Sequence, residues 1–159
     1  MSRLPTLGPR GEGWVAIQGV LLVAEVALGL AAGPAWDGGA RVVTTVLGLT
    51  AMALGALLGG RGIFDLRDSL TALPHPLEGA SLIEHGAYRL VRHPIYGGIV
   101  IGSAGFGLLM AAPLAIAGAA MLLAFFRLKS AREEAWLEKS YPGYSAYRAR
   151  TRRMLPGLY

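Results

Sequence analysis

The sequence lacks cysteine altogether and is poor in charge. Without cysteine the chain has no disulfide framework, no thiolate metal site and no thiol nucleophile. Only 16% of its 159 residues are charged, against about 25% in a typical soluble domain. Hydrophobic residues make up 53%, and the mean hydropathy is +0.47. These scarcities exclude an ordinary soluble globule and predict an integral membrane protein.

The sequence also lacks the histidine spacing of a metal site and has fewer acidic than basic residues. The three histidines, His75, His85 and His93, show no H-x-x-x-H or similar spacing, so we predict no metal site. Fifteen basic residues outnumber ten acidic ones. Many of the basic residues follow the last apolar stretch directly, which favours anionic membrane lipids over nucleic acid as their partner.

Four apolar stretches predict the fold. Residues 14–33 and 41–60 each reach the roughly 20 residues that cross a bilayer. Residues 95–126 are too many for one span and are interrupted at Pro113, which predicts a tight helical hairpin with spans at 95–111 and 113–128. We therefore expect one all-α membrane domain, residues 1–159, with about four transmembrane helices. The first stretch is too long for a signal peptide, so we expect it to be retained.

The basic residues predict the orientation. Arg41 alone lies between the first two stretches, and the other fourteen precede residue 14, lie between 60 and 95, or follow 126. By the positive-inside rule, both termini, the loop 61–94 and the tail 129–159 are cytoplasmic. Prolines and glycines predict a mostly irregular loop. The tail should continue the fourth helix to about Ser140, break at Pro142 and form a second short helix.

The segment RHPIYGG at residues 92–98 is the first candidate site. Pro94 suits the first turn of a helix, so the third helix should begin there with free backbone N–H groups. Such an end attracts anions, and Arg89 and Arg92 add positive charge. Taken singly, these residues would be membrane-interface anchors. Their joint occurrence with His93 and Tyr96 favours a binding site.

Glu133 and Glu134 are the second candidate site. Adjacent residues on a helix point about 100° apart, so at most one of them faces a given pocket, while the other is solvated or pairs with Arg132 or Lys129. An acidic pair in a basic tail suits a ligand with an ammonium group or sugar hydroxyls. The alternative is a solvated helical face with ordinary ion pairs.

Two features within the spans have structural interpretations. Glu25 lies midway along the first span, where an ionisable group costs roughly 2.5–3.5 kcal/mol. We expect it to be protonated or bonded to a neighbouring helix. The glycines of GGIVIGSAGFG include the spacings Gly98 to Gly102 and Gly98 to Gly105. No strand precedes them, so we interpret them as helix-packing positions rather than a phosphate loop.

The two candidate sites together resemble a known family. GAYRLVRHPIYGG, followed after a hairpin by REEAWLEKSYPGYSAYRARTRRMLP, resembles the isoprenylcysteine carboxyl methyltransferases and phospholipid methyltransferases, which are membrane enzymes. The resemblance covers about Pro74 to Pro156. It implies methyl transfer from S-adenosylmethionine, leaving S-adenosylhomocysteine, to a lipophilic acceptor. An isoprenylcysteine carboxylate, another lipid and an isoprenoid all fit.

The resemblance also implies roles for individual residues. Arg150 matches a tail arginine near the reaction centre, and we assign Arg150 and Arg92 to catalysis. Arginine suits an anionic group, glutamate suits the cofactor's ammonium or ribose, and tyrosine faces suit its sulfonium. A carboxylate acceptor needs no general base. The implied cofactor-binding residues are Tyr88, Leu90, Val91, His93, Tyr96, Glu133 and Glu134.

Two other functions stay open at this point. NADPH-dependent reductases of sterol-type double bonds resemble the chain at R-H-P-x-Y, although Ile95 stands where they usually have asparagine. A non-enzymatic membrane accessory protein is the third possibility, in keeping with the short chain. Neither the acceptor nor the oligomeric state follows from the sequence.

Overall fold

The computed structural model describes residues 4–76, 79 and 81–157, and this part of the chain is helical with no β-strand. Two short 3₁₀ helices, Arg67–Ser69 and Gly86–Arg89, lie in the loop between the second and third α-helices. The predicted all-α fold is confirmed. The five α-helices are α1 (Glu12–Ala31), α2 (Gly38–Leu66), α3 (Pro94–Leu109), α4 (Pro113–Ser140) and α5 (Tyr144–Arg150).

Three of these helices, α1, α2 and α4, are long and apolar enough to cross a membrane. The third predicted span, 95–111, corresponds to α3, which is apolar but has only 16 residues. At 1.5 Å per residue α3 is about 24 Å long, somewhat less than the hydrocarbon core of a bilayer. The bundle thus has the four apolar helices that the sequence predicted, and full spanning by α3 stays a prediction.

The second helix extends beyond its predicted end. Residue 60 was the expected limit of the span, whereas α2 continues to Leu66. Arg61 and Asp65, which lie four residues apart on this extension, form an ion pair of 3.0 Å that supports helical structure. The first turn and a half of the loop 61–94 is therefore helical rather than irregular.

The tight hairpin predicted at Pro113 is confirmed. Helix α3 ends at Leu109, Ala111 has a positive φ of 51°, and Pro113 occupies the first turn of α4. Ala111 and Ala112 are fully buried in this turn. Beyond the hairpin, α4 runs without a break to Ser140 and α5 follows after a short turn, as the tail sequence predicted.

Helices α2 and α3 are in direct backbone contact. A Cβ atom placed on Gly98 would lie 2.5 Å from the carbonyl oxygen of Gly55, and one on Gly105 would lie 2.6 Å from that of Gly48. Both distances are shorter than real Cβ contacts. The glycines are seven residues apart in each helix and so lie on one face. The packing role predicted for Gly98 and Gly105 is confirmed, and α2 supplies matching glycines.

The tail returns to the start of α3. Val91 and Arg152 form a short parallel bridge, and the backbone N–H of His93 donates to the carbonyl of Arg153 (2.8 Å). Met154 is fully buried in the apolar core formed by α1, α3 and α4. The loop and the tail, which are far apart in the sequence, therefore form one structure beside the apolar helices.

We predict that Gly98→Ala lowers the free energy of unfolding by about 1–3 kcal/mol, because the added methyl group forces two helix backbones apart. Gly102→Ala, on the same helix, is the matched control, since no atom outside its own helical turn lies within 4 Å of the position of its Cβ. Denaturant titration in mixed micelles measures both. Equal stabilities for the two variants would contradict close packing of α2 on α3.

Candidate functional site

A cavity of about 490 Å³ lies where α1, the loop, the start of α3, the extension of α4 and the tail meet. This volume is within the range of small-molecule sites. Most of its lining is apolar and comes from the loop between α2 and α3, and five tyrosines also contribute, Tyr88, Tyr96, Tyr141, Tyr144 and Tyr147. The strongly polar or charged side chains in the lining are Gln18, Arg92, His93, Lys129 and Glu133.

Tyr96 and Glu133 form a fixed pair in the cavity wall. The Tyr96 hydroxyl donates a hydrogen bond of 2.8 Å to Glu133 Oε2. The Tyr96 ring stacks with the rings of His93 and Phe126, at centroid distances of 5.4 and 4.6 Å. Because α3 supplies the tyrosine and α4 the glutamate, the packing of these two helices sets the position of the carboxylate.

Glu134 lies behind this wall in a buried ion network. Its side chain is 3% exposed and accepts from Arg92 Nε (3.0 Å), His93 Nε2 (3.2 Å) and Arg153 Nη2 (3.1 Å). Burial raises the pKa of Glu134, but the hydrogen bond from His93 and the charges of His93, Arg92 and Arg153 outweigh it and lower the pKa to about 2. Glu134 is therefore ionised. The predicted divergence of the adjacent glutamates is confirmed, since Glu133 faces the cavity.

Arg92 connects three segments through its guanidinium. Besides the bond to Glu134, its Nη1 donates to the carbonyl oxygens of Arg148 (3.2 Å) and Thr151. Its side chain is 7% exposed. Arg92 thus anchors the turn after α5 to the start of α3, while one edge of it contributes to the cavity wall.

Three buried tyrosines form an aromatic part of the lining. The Tyr147 hydroxyl donates to the carbonyl of Tyr88 (2.7 Å), and the rings of Tyr144 and Tyr147 meet edge to face at 5.9 Å. The Tyr144 hydroxyl is buried and has no hydrogen-bond partner among the described residues. Burial raises the pKa of all three phenols well above the ordinary value, so they are neutral donors and aromatic surfaces rather than bases.

Asp65 positions the 3₁₀ helix that carries Tyr88. Its carboxylate, almost fully buried at the end of α2, accepts from the N–H of Ala87 (2.7 Å) and from Arg61 Nε (3.0 Å). Gly86, with a φ of 59°, lets the backbone pass so close to Asp65 that a Cβ there would clash. Sequence reasoning missed Asp65. The available signal was an acidic residue four positions after Arg61 on one helix.

Four predicted site residues lie outside the cavity lining: Glu134, which is directly behind it, and Leu90, Val91 and Arg150. Leu90 is 58% exposed, and Val91 is fully buried among other residues. Arg150 forms an ion pair with Glu84, and its side chain is 57% exposed. Their assigned roles stay predictions. The predicted residues that do line the cavity are Tyr88, Arg92, His93, Tyr96 and Glu133, with Glu134 directly behind them.

Two polar residues of the lining, Gln18 and Lys129, were not predicted as site residues. Lys129 Nζ donates to Gln18 Oε1 (2.6 Å) and lies 5.0 Å from the centre of the Tyr96 ring. Gln18 precedes Glu25 by seven residues, so both lie on one face of α1. Glu25 is buried and accepts a hydrogen bond from Ser103 of α3 (2.8 Å), which confirms the predicted bond to a neighbouring helix.

We predict that Glu134→Gln lowers the free energy of unfolding by about 3 kcal/mol or more, because the cations around it lose their counter-charge. The contribution of Glu134 is fully present above the unfolded-state pKa of 4.5 and is lost as the pH falls towards 2, because the unfolded chain binds the proton more readily. The melting temperatures of the two proteins, measured between pH 2 and 7, should therefore differ fully above about pH 4.5 and converge as the pH falls towards 2.

The exposed Glu138 lies one turn further along α4, so Glu138→Gln is the matched control and should change the melting temperature little. A constant difference between wild type and Glu134→Gln across the pH range would contradict an ionised Glu134.

Comparison with known proteins identifies the family. The family model described as phospholipid methyltransferase matches residues 43–143, more than half of the chain. No match was found among curated proteins. The matched range contains the hairpin, the Tyr96–Glu133 pair and Glu134, and it ends before α5. The resemblance found in the sequence is confirmed, and the chain belongs to the phospholipid methyltransferase family.

Proposed function

We propose that this protein transfers a methyl group from S-adenosylmethionine to a lipophilic acceptor in the cavity between the loop, α4 and the tail. One observation carries the proposal: a carboxylate held by Tyr96 lines an otherwise largely apolar cavity in a member of a methyltransferase family. The carboxylate suits a cationic, hydroxylated cofactor, and the apolar lining suits a lipid.

The groups left unused in the cavity fit this cofactor. Glu133 has one carboxylate oxygen bonded to Tyr96, and its other oxygen has no hydrogen bond to a described residue. That oxygen can accept from an ammonium group or a ribose hydroxyl. The buried Tyr144 hydroxyl is a second unused polar group, and a bound ligand would satisfy it. Tyr88 offers an aromatic face to a sulfonium.

When bound, S-adenosylmethionine supplies a methyl group on a positively charged sulfur. The protein's own contribution is then to align donor and acceptor and to exclude water. The neutral tyrosines provide hydrogen bonds without removing protons. His93 has its Nε2 bonded to Glu134, which favours an orienting role for this ring over proton transfer. An acceptor that is already anionic requires no base.

The catalytic roles of the two arginines belong to the proposal. Arg92 is in the cavity wall, and its bonds to Glu134 and to two tail carbonyls support a positioning role. Arg150 is paired with Glu84 on the exposed side of the tail. A direct part in methyl transfer therefore requires Arg150 to leave Glu84.

We further propose that both chain termini, the loop 61–94 and the tail 129–159 face the cytoplasm. The distribution of basic residues supports this orientation. In that arrangement the polar cofactor enters from water, the acceptor enters from the bilayer, and the basic tail contacts anionic lipid headgroups.

We predict that a reporter fused to the C-terminus is cytoplasmic, whereas one inserted at Ala112 in the hairpin turn is on the opposite side. The activity of a compartment-specific reporter, such as a phosphatase that folds only outside the cytoplasm, shows on which side of the membrane each position lies. Both reporters on the same side would show that α3 and α4 do not cross the bilayer as a pair.

We also predict that the purified protein binds S-adenosylhomocysteine and that Glu133→Gln weakens this binding by about 1.5–3 kcal/mol, the usual value for a hydrogen bond to a charged group. Isothermal titration measures both affinities, and titration with NADPH is the comparison. Glu138→Gln, which alters an exposed carboxylate on the same helix, should bind as tightly as wild type.

Binding of NADPH in place of S-adenosylhomocysteine would favour a reductase, and binding of neither would favour an accessory protein. If Glu133→Gln bound S-adenosylhomocysteine as tightly as wild type, Glu133 would not be a cofactor-binding residue. Methyl transfer itself would then be tested by a direct activity assay.

A further inference from the structure

Lys129 is a buried lysine that forms no ion pair with a carboxylate of the described residues. The residue is 1% exposed and lies on α4, just beyond the predicted span 113–128. Its Nζ donates a hydrogen bond to the side-chain oxygen of Gln18 (2.6 Å) and a longer one, of 3.5 Å, to the carbonyl oxygen of Ala72. Among the described residues, no Asp or Glu oxygen lies within 4.0 Å of this nitrogen.

Such an arrangement is costly in the absence of a ligand. Removing an ammonium from water costs several kcal/mol, and one amide oxygen with one distant carbonyl restores only part of its solvation. The Tyr96 ring at 5.0 Å adds a weak cation–π interaction. By contrast, the buried carboxylate of Glu134 is surrounded by cations. Glu133, one turn along α4, offsets part of the charge of Lys129 through space but forms no ion pair with it, so among the described residues this charge is only partly compensated.

The position of Lys129 indicates the direction from which a partner arrives. Gln18 belongs to the first two turns of α1, and its neighbours Ile17 and Val20 are 41% and 68% exposed on an apolar helix of spanning length. This end of the cavity therefore adjoins the bilayer. Glu133 lies one turn further along α4 towards the tail. A lipid that enters from the bilayer meets Lys129 before it meets Glu133.

We propose that Lys129, held by Gln18, binds the anionic head group of the lipophilic acceptor. This inference rests on the proposed methyl transfer. A carboxylate and a phosphate share the required chemistry, since each presents oxygens to an ammonium. If a carboxylate is the acceptor, one of its oxygens forms the new C–O bond while the S–C bond breaks. The electron pair of that bond stays on sulfur, both charges are neutralised, and no proton moves.

The test uses the full chain in uncharged dodecyl maltoside micelles with three probes of equal chain length: dodecanoate, dodecyl phosphate and dodecanol. Thermal-shift titration with saturating S-adenosylhomocysteine gives their apparent dissociation constants. We expect wild type to bind at least one anionic probe about tenfold or more tightly than dodecanol, the scale of a charged hydrogen bond. The tighter of the two anions distinguishes a carboxylate from a phosphate.

Lys129→Met should abolish this preference, because it keeps the length of the side chain and removes the charge. Lys129→Gln should do the same, and neither variant should melt below wild type, since each removes a buried unpaired charge. Lys139→Met is the matched control, because Lys139 is an exposed lysine of the same helix, and it should keep the preference.

Two results would overturn the proposal: a wild type that binds all three probes alike, or a Lys129→Met variant that loses affinity for S-adenosylhomocysteine and keeps the anion preference. The second result would assign Lys129 to the carboxylate of the cofactor. Failure of the proposed function gives a different result. In that case wild type would not bind S-adenosylhomocysteine, but it would still bind anionic probes more tightly than the neutral one. That difference would still support an anion site at Lys129.

Discussion

The buried carboxylate of Glu134 is the interaction on which the arrangement of the site depends. Glu134 accepts hydrogen bonds from Arg92 and His93 at the start of α3 and from Arg153 at the end of the tail. A carboxylate in this position supplies a counter-charge for the buried guanidinium of Arg92. Because Glu133 is the next residue back on the same helix, the network that fixes Glu134 also directs Glu133 into the cavity.

A second constraint acts on the opposite wall of the site. The glycine contacts hold α2 against α3 without side chains between them, so the end of α2 lies beside the residues that precede α3. Asp65 then binds the 3₁₀ helix through the N–H of Ala87, and Tyr88 follows directly. The packing of α2 on α3 therefore determines the position of Tyr88 in the cavity wall. Substitutions deep in the bundle should therefore affect ligand binding.

Much of the fold could be predicted because its signals are local. A proline in a long apolar run marks the hairpin at Pro113, and small residues seven apart mark a packing face. The pairing of Lys129 with Gln18 could not be predicted, because it joins residues 111 positions apart whose meeting depends on how α1 packs on α4. For the same reason, the motif that contains Arg150 did not reveal that its guanidinium points to Glu84.

One face of α4 passes from apolar to cationic to anionic towards the C-terminal end of the helix. Phe126, Lys129 and Glu133 are spaced by three and four residues, so they lie on the same side of the helix. This order matches an anionic lipid head nearer the membrane and a cationic cofactor nearer the water. The reverse order would place a carboxylate against hydrocarbon and draw the polar cofactor into the bilayer. Under the proposed methyl transfer, the direction in which donor and acceptor meet is thus a property of a single helix face.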